Sequence, residues 1–582
     1  MHCKAPHVYC TTISKEYLLR PHLAAWYYEL KSMQYLSSIF KQRFVYRHLL
    51  VLVLAIGIGG YTAVSMKQDV NYDLLNYHYN NPYALLHGRV VKDLGIGELE
   101  SYHNPTIDIP AYLAINHLTP RKAAGVIGMM QGVNIWVVYE ICLVIFRRLK
   151  FRLRRGTVPA ISLALAITSF YGAASLSEVG NTMGDNLVSI LVLAGFLLVL
   201  KTIEEGATTR RNTVMRLVGY GLLGGAMGLK LTSLMYTVGL VCADLATSSG
   251  ALLRRAKYFG LNILAVITGM LAAAGFWYVR LLFWFGSPIF PFYNHYFRSK
   301  YYPPINFTDK RWLPINTDKT IMRPFDFMHK QSIASELPFR DPRVAFLIIA
   351  GLVLLVVTLI RLYRQHGTKC KLYYGSLSKV HLALWVFIVV SYVMWLKQFG
   401  YYRYLIPVEL LALPGIALAC YQVIKKFIPA TIVIAALCIY ITTQTVAIDW
   451  GRVPWQTTYF GVQKSDFTEL KGATILVGGY APIGFMVPYF PTSSQTIRVE
   501  SDLTSPATGT VAMQNLLHKA IEKRQQQKTP FYAIYADEEA AHLDQTFRIF
   551  GYTRGSCTVV PAYVRQNNPS KIRLCHLLPV QQ

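Results

Sequence analysis

The chain has 582 residues, of which 53% are apolar and only 15% charged, and its mean hydropathy is +0.32. These values exclude an ordinary soluble globular chain, because the apolar residues gather in blocks close to the roughly 20 residues that a bilayer-crossing helix needs. A formal charge of +28 could suit a nucleic-acid partner, but a basic excess confined to alternate short loops is topology information and not a phosphate-backbone footprint.

Residues 1–46 form an aromatic-rich, basic leader that suits the inner membrane surface. It has no long apolar core ahead of the first span, so no cleavable signal peptide is expected. Apolar blocks follow at 47–66, 123–146, 158–177, 186–202, 214–229, 230–247, 257–282, 343–361, 379–397, 404–423 and 427–447. They amount to about eleven crossings by the hydropathy rule. The short, Gly-rich pair 214–229 and 230–247 reads either as two spans or as a half-helix hairpin. Basic residues mark alternate connections, as in "RRLKFRLRR" at 147–155, "RRAK" at 254–257 and Lys425–Lys426. The intervening loops carry Asp69, Asp73, Asp93, Glu98, Glu100, Asp108, Glu178 and Asp185. Lys- and Arg-rich short loops face the cytoplasm, so the N terminus is expected inside and the C terminus outside.

Three outer segments exceed simple turns: 67–121, 283–342 and everything from about 448 onward. In the last, "ATILVGGY" (473–480) and "PFYAIYA" (530–536) read as buried strands, and "SCTVVPAYV" with "IRLCHLL" as closing strands. Helices are expected after the polar loop near 511 and over "DEEAAHLDQTFRIFG". That alternation predicts a small α/β domain over 448–582. It carries no GxGxxG or P-loop, so the pattern implies no nucleotide site. The nine cysteines show no CxxC or Cys/His metal spacing. Cys557 and Cys575 fall in the outer tail, either bonded to each other, which that compartment permits, or unpaired. The expected fold is thus a polytopic α-helical membrane domain over 47–447 with a C-terminal α/β domain on the outer side.

Polar clusters at the outer ends of the spans are the candidate chemistry. If 70–87 is one helix ending near Gly88, Asp69, Asp73 and Tyr77 share a face, with Asn80 or Asn81 below and His78 directed elsewhere. The two acids either answer the exposed N–H groups of a helix start or line a site. The aromatic and amide-rich face around Asp73 favours the second for that residue. His103, Asn104 and Asp108 follow at once in "SYHNPTIDIP". "SEVGNTMGDN" (177–186) puts Glu178 and Asp185 at the membrane surface, as solvated acids or as part of a site. Lys230, in "GGAMGLKLTSL", either faces a cavity or an anionic partner or snorkels from the end of a half-helix. Arg403, in "KQFGYYRYLIPVEL", either grips a phosphate through its planar fork or anchors a Tyr belt. Glu409 lies about two turns inward. In "ELPFRDPR", Glu336, Arg340, Asp341 and Arg343 are expected to pair with one another.

The arrangement resembles the GT-C class of membrane glycosyltransferases, which take sugars from polyprenyl-phosphate carriers. The text is especially similar to a bacterial, mannosyltransferase-like branch in "YDLLNYHYNNPYALLHGR", "YHNPTIDIPAY", "SEVGNTMGDN", "GLKLT", "GSPIFPFYN" and "RYLIPVELLALPG". The resemblance implies a bacterial inner-membrane location and a lipid-linked sugar donor. It implies a saccharide, lipid or protein acceptor and no nucleic-acid partner. It also implies an acid of the first outer loop acting as catalytic base or acceptor-orienting group, carried here onto Asp73 first and Asp69 second. Tyr77, His78, Asn80, His103, Asn104, Glu178, Asp185, Lys230 and Arg403 are then the expected substrate-binding residues. A divalent ion, magnesium or manganese, could bridge acids and phosphate, although no spacing demands one. The rival readings are a flippase of lipid-linked saccharide, using the same charged cavity without a base, and an O-antigen-type polymerase or ligase.

Overall fold

A computed structural model describes residues 45–149, 151, 154–205, 209–307, 309–366, 378–507, 511–562 and 571–580; nearly all of the expected leader lies outside them. The chain divides into two units, Met1–Leu54 and Ala55–Gln582. Of the first, only the start of a helix is described, with Leu49 and Leu50 exposed. Everything below concerns the second unit, apart from the bounds of that helix.

Each apolar block of the sequence falls on a helix. They are α1 (Val45–Ser65), α2 (Pro120–Phe146), α3 (Thr157–Phe170), α4 (Asp185–Glu205), α5 (Arg210–Leu229) and α6 (Leu234–Thr247). The rest are α7 (Leu252–Phe285), α8 (Arg343–His366), α9 (Lys379–Gln398), α10 (Ile406–Ile424) and α11 (Phe427–Gln444). Among the described residues, eight helices are long and apolar enough to cross a membrane; α3 and α6 are shorter apolar helices and α5 is not among the eight. Burial sorts them. The apolar window of Tyr402–Ile424 is 89% buried, so α10 is central, whereas those of α7 and α11 are 17% buried and show most of their apolar surface to the surroundings.

Small residues let backbones touch. A Cβ on Gly224 would fall 2.0 Å from the Val266 carbonyl oxygen, and one on Gly269 only 1.9 Å from that of Gly221. Helices α5 and α7 therefore pack at backbone contact, the mode that compensates for the weak hydrophobic drive between apolar helices in lipid. Helix α5 stops at Leu229, and Lys230 is extended (φ −148°, ψ 109°) before a turn Leu231–Ser233 leads into α6. Lys230 thus sits at a helix break and not within a span.

After α11 comes a five-stranded sheet: β1 (Thr474–Val477), β2 (Gln495–Arg498), β3 (Phe531–Ala536), β4 (Tyr552–Val560) and β5 (Ile572–Pro579), in the order β2-β1-β3-β5-β4. The β2-β1-β3 part is parallel, and β5 and β4 add antiparallel. Helices α12 (Ala512–Gln526) and α13 (Ala540–Ile549) complete the α/β expectation. Cys557 and Cys575, directly opposed on β4 and β5, are bonded.

The tail and the first outer segment make one body. Leu94 N–H donates to the Thr496 carbonyl (3.0 Å) and Arg498 N–H to the Leu94 carbonyl (2.9 Å), which covers the exposed side of β2. Leu74, Leu75, Tyr79 and Tyr83 share a core with Phe460, Phe467, Ile475 and Phe485. The fully buried Arg498 donates to the carbonyls of Ile96, Gly479 and Ala481 and pairs with Glu98 at 3.3 Å. The sheet domain therefore clamps the segment that carries most candidate site residues.

Candidate active site

The expected single helix over 70–87 is replaced by two pieces. A wide π turn covers Leu74–His78, and an α-helix restarts at Asn80–Leu86. Pro82 explains the break, since it lacks the N–H that a continuous α-helix would send to the His78 carbonyl. Gly88 (φ +66°) lies just beyond the helix, as expected.

This geometry separates the two acids. Asp69 precedes the helix and is 1% exposed. Its Oδ1 accepts from Asn71 N–H (3.1 Å) and Nδ2 (2.7 Å), and its Oδ2 from Thr182 N–H (3.1 Å) and Oγ1 (3.2 Å). Asp69 does not share a face with Asp73 and Tyr77; its oxygens are taken up in joining the first outer segment to the 177–186 loop. That loop turns through Gly180 (φ +73°) and Gly184 (φ +83°), conformations that glycine adopts without a Cβ penalty.

Asp73 meets three other charged residues. Its Oδ2 accepts from Arg403 Nη1 at 2.8 Å, and Arg403 Nε lies 3.6 Å from Asp185 Oδ2. Asp185 Oδ1 accepts from Lys230 Nζ at 2.6 Å, and Lys230 also donates to the Met183 carbonyl at 3.1 Å. Residues from four separate segments thus form one alternating chain, Asp73–Arg403–Asp185–Lys230. Asp185 is at the start of α4, Lys230 at the α5–α6 break and Arg403 in the turn Tyr402–Leu405 that enters α10. Aromatic rings wall the cations: Arg403 lies 5.0 Å from the Tyr401 centroid, 5.4 Å from Tyr404 and 6.0 Å from Trp450, and Lys230 lies 5.5 Å from Tyr404.

Among the described residues, four buried polar atoms at this network have no hydrogen-bond partner: Arg403 Nε and Asp185 Oδ2, which face each other at 3.6 Å, and Glu178 Oε1 and Asn186 Oδ1. Buried polar groups are nearly always satisfied, so the cluster stands out from the rest of the helical part. Glu178 is fully buried and accepts from Asn186 N–H at 3.2 Å. Burial first, and the Asp185 charge second, push its carboxyl well above the ordinary value.

The remaining expected residues flank the network. Tyr77 is buried, its ring 4.2 Å from that of His78 and edge-on to His103 at 5.5 Å. His103 stacks on Phe292 at 5.3 Å, and burial, with Lys230 next, pushes its imidazole down to about 3, so it stays neutral. His78 is not directed away from the site chemistry as expected. Its Nδ1 lies 2.7 Å from Asp108 Oδ1. Asn80 is buried, and its Oδ1 has no hydrogen-bond partner among the described residues. Asn104 serves as a joint: its Oδ1 caps Thr106 N–H and its Nδ2 donates to the Gly228 carbonyl at 3.1 Å, beside the Lys230 break. Burial raises the Asp73 carboxyl, but Arg403, His78 and Lys230 outweigh it and hold the group below the ordinary value.

A second buried cluster holds the loop in place. Asp341 pairs with Arg343 at 2.8 Å, both fully buried, as the sequence led one to expect for "ELPFRDPR". Arg343 donates to the carbonyls of Ser169 and Tyr171 at the end of α3, and Glu409 accepts from Ala174 and Ser175 N–H. Arg340 and Glu336 go elsewhere, to the Gln444 carbonyl and the Tyr401 hydroxyl. Sequence reasoning passed over Trp450 and Arg452, which hold Ser177 and Val179 in the 177–186 loop. A Trp-Gly-Arg just after the last apolar block is their only signal.

Among the described residues, no group of three or more His, Cys, Asp and Glu is placed to hold a metal ion. Asp73 and Asp185 each already face a side-chain cation. This donor set does not fit a divalent ion, and no step below runs through one.

No family model and no curated protein matches the chain. Among solved structures, the crystal structure of the Archaeoglobus fulgidus oligosaccharyltransferase in the apo form is similar over 87% of this chain and 71% of that one. The TM-score is 0.45 and the identity 10%, a likeness too distant to carry an argument about fold or activity.

Proposed function

We propose that the chain is a GT-C-type membrane glycosyltransferase, moving a sugar from a polyprenyl-phosphate donor to an acceptor on the outer membrane face. The observation that carries this reading is the Asp73–Arg403–Asp185–Lys230 chain, with its unsatisfied buried atoms, at the ends of apolar helices. Two cations beside one another suit a phosphate, and an aromatic wall around them suits sugar faces. In the free protein Asp73 and Asp185 neutralise those cations, so the site is preorganised without an unpaired buried charge.

On donor binding, phosphate oxygens take over Arg403 and Lys230. Asp73 then receives the hydrogen bond of the acceptor hydroxyl and aims its oxygen at the anomeric carbon. The acceptor oxygen gives up its proton to a base of the protein and bonds to that carbon as the carbon–oxygen bond to phosphate breaks. The bonding pair leaves with the polyprenyl phosphate, whose negative charge the two cations stabilise. Direct attack inverts the anomeric centre. Glu178, whose carboxyl burial favours in the protonated form, donates in that form to a sugar or phosphate oxygen. The flippase reading accounts for the charged network but gives Asp73 no work beyond pairing with Arg403.

The test is sugar transfer from a polyprenyl-phosphate donor in membranes, comparing wild type with Asp73→Asn. Loss of the carboxylate that holds the hydroxyl in its reactive orientation lowers kcat by about 10²-fold or more. Unchanged turnover removes Asp73 from the reaction.

A further inference from the structure

We infer that His78, held by Asp108, is the group that takes the acceptor's proton; this rests on the transferase reading above. His78 and Asp108 are 5% and 3% exposed, and His78 Nδ1 lies 2.7 Å from Asp108 Oδ1. With a proton on Nδ1 shared with that carboxylate, Nε2 carries the lone pair. Nε2 is buried and has no hydrogen-bond partner among the described residues. A buried imidazole with one nitrogen anchored by an acid and the other left open is the orientation a general base requires.

Its position fits. His78 closes the π turn that starts just after Asp73. The ring sits against Tyr77, which in turn contacts His103. Asp73 is less suited to keep a proton because Arg403 donates to it at 2.8 Å. Two roles therefore divide between two residues: Asp73 orients the hydroxyl, and His78 Nε2 receives the proton as the glycosidic bond forms. The product state is an imidazolium beside Asp108, the glycosylated acceptor and the free polyprenyl phosphate. The imidazolium then returns its proton to water. Asp108 is a positioning residue, fixing the tautomer and ring plane.

The experiment measures kcat and donor KM for wild type, His78→Ala, His78→Gln and Asp108→Asn in membranes, with and without added imidazole. Glutamine keeps a donor toward Asp108 yet takes no proton, so it preserves the buried contact while removing the chemistry. Expected are kcat losses of about 10²–10⁴-fold in both His78 variants at near-wild-type donor KM. Imidazole is expected to restore part of the His78→Ala turnover and none of that lost in Asp73→Asn. Asp108→Asn is expected to lower kcat with donor KM unchanged, through the wrong tautomer. Wild-type kcat in His78→Gln overturns the assignment to His78 and leaves the transferase reading standing. A wild type that transfers no sugar overturns both.

Discussion

Replacing Arg403 with methionine probes the centre of the network. At the 2.8 Å between Arg403 Nη1 and Asp73 Oδ2, the gross attraction at an effective dielectric near 20 is roughly 6 kcal/mol. Breaking one side of a buried pair costs about 3–5 kcal/mol. The Asp73 side chain is 19% exposed, which places the expected loss of stability at the lower end, about 3 kcal/mol. Activity falls separately: without the guanidinium, one of two cations facing the leaving phosphate is gone, and a single such group is worth about 10²–10³-fold in kcat. Arg403→Lys keeps the charge but cannot span Asp73 and Asp185 with a planar fork, so it falls between the two.

The variant also has a pH signature. Arg403 is the largest influence holding Asp73 below its ordinary value of 3.8, against burial, which raises it. Removing the guanidinium leaves burial in charge, so Asp73 titrates higher and the acid limb of the kcat profile moves up in pH. In the wild type, the stability contributed by ionised Asp73 is present above 3.8 and is lost as pH falls through its lower folded value; the variant lacks that contribution. Sugar transfer in membranes across a pH series, with thermal unfolding in detergent, reads both effects. An Arg403→Met protein with wild-type kcat and an unmoved acid limb refutes the reasoning.

Glu100 and Gly180 give two further expectations. Burial first and Asp73 second push the Glu100 carboxyl up to about 8 from 4.5. Its contribution to stability is full below 4.5 and lost as pH rises toward 8, so Glu100→Gln should unfold later than wild type at pH 9 and show no such advantage at pH 4; a pH-independent difference contradicts this. Gly180→Ala forces φ +73° on a residue with a Cβ, at about 1–3 kcal/mol, and brings that Cβ within 2.7 Å of Ala63 Cβ. Thermal unfolding should fall and turnover with it, since the same loop carries Glu178 and leads into Asp185; unaltered unfolding shows that the turn is not constrained.

The helices were legible because a lipid-crossing segment must be apolar along its whole length, and every such block proved helical. The tail's strands β1, β3 and β5 announced themselves as apolar runs, while β4 (Tyr552–Val560) starts four residues before the expected "SCTVVPAYV" and overlaps it only over 556–560. Strand β2 did not: "QTIR" is short and polar, and it is stabilised by Leu94, some four hundred residues earlier in the chain. Helical periodicity paired Asp69 with Asp73 and turned His78 away. Pro82 imposes a π turn that periodicity does not anticipate, and the acids separate while His78 joins the site. Residue types flagged Arg403 and Lys230, but not their partners. The ion pair of Arg403 and Asp73 spans 330 positions, and the His78–Asp108 contact 30, so neither can be read from spacing.

The most direct measurement is made on purified protein reconstituted in vesicles carrying a polyprenyl-phosphate-linked, radiolabelled sugar and a soluble saccharide acceptor. The account predicts label transferred to the acceptor with release of polyprenyl phosphate, and abolition of that transfer in Asp73→Asn. Label that crosses the bilayer still attached to its carrier, with none reaching any acceptor, contradicts it.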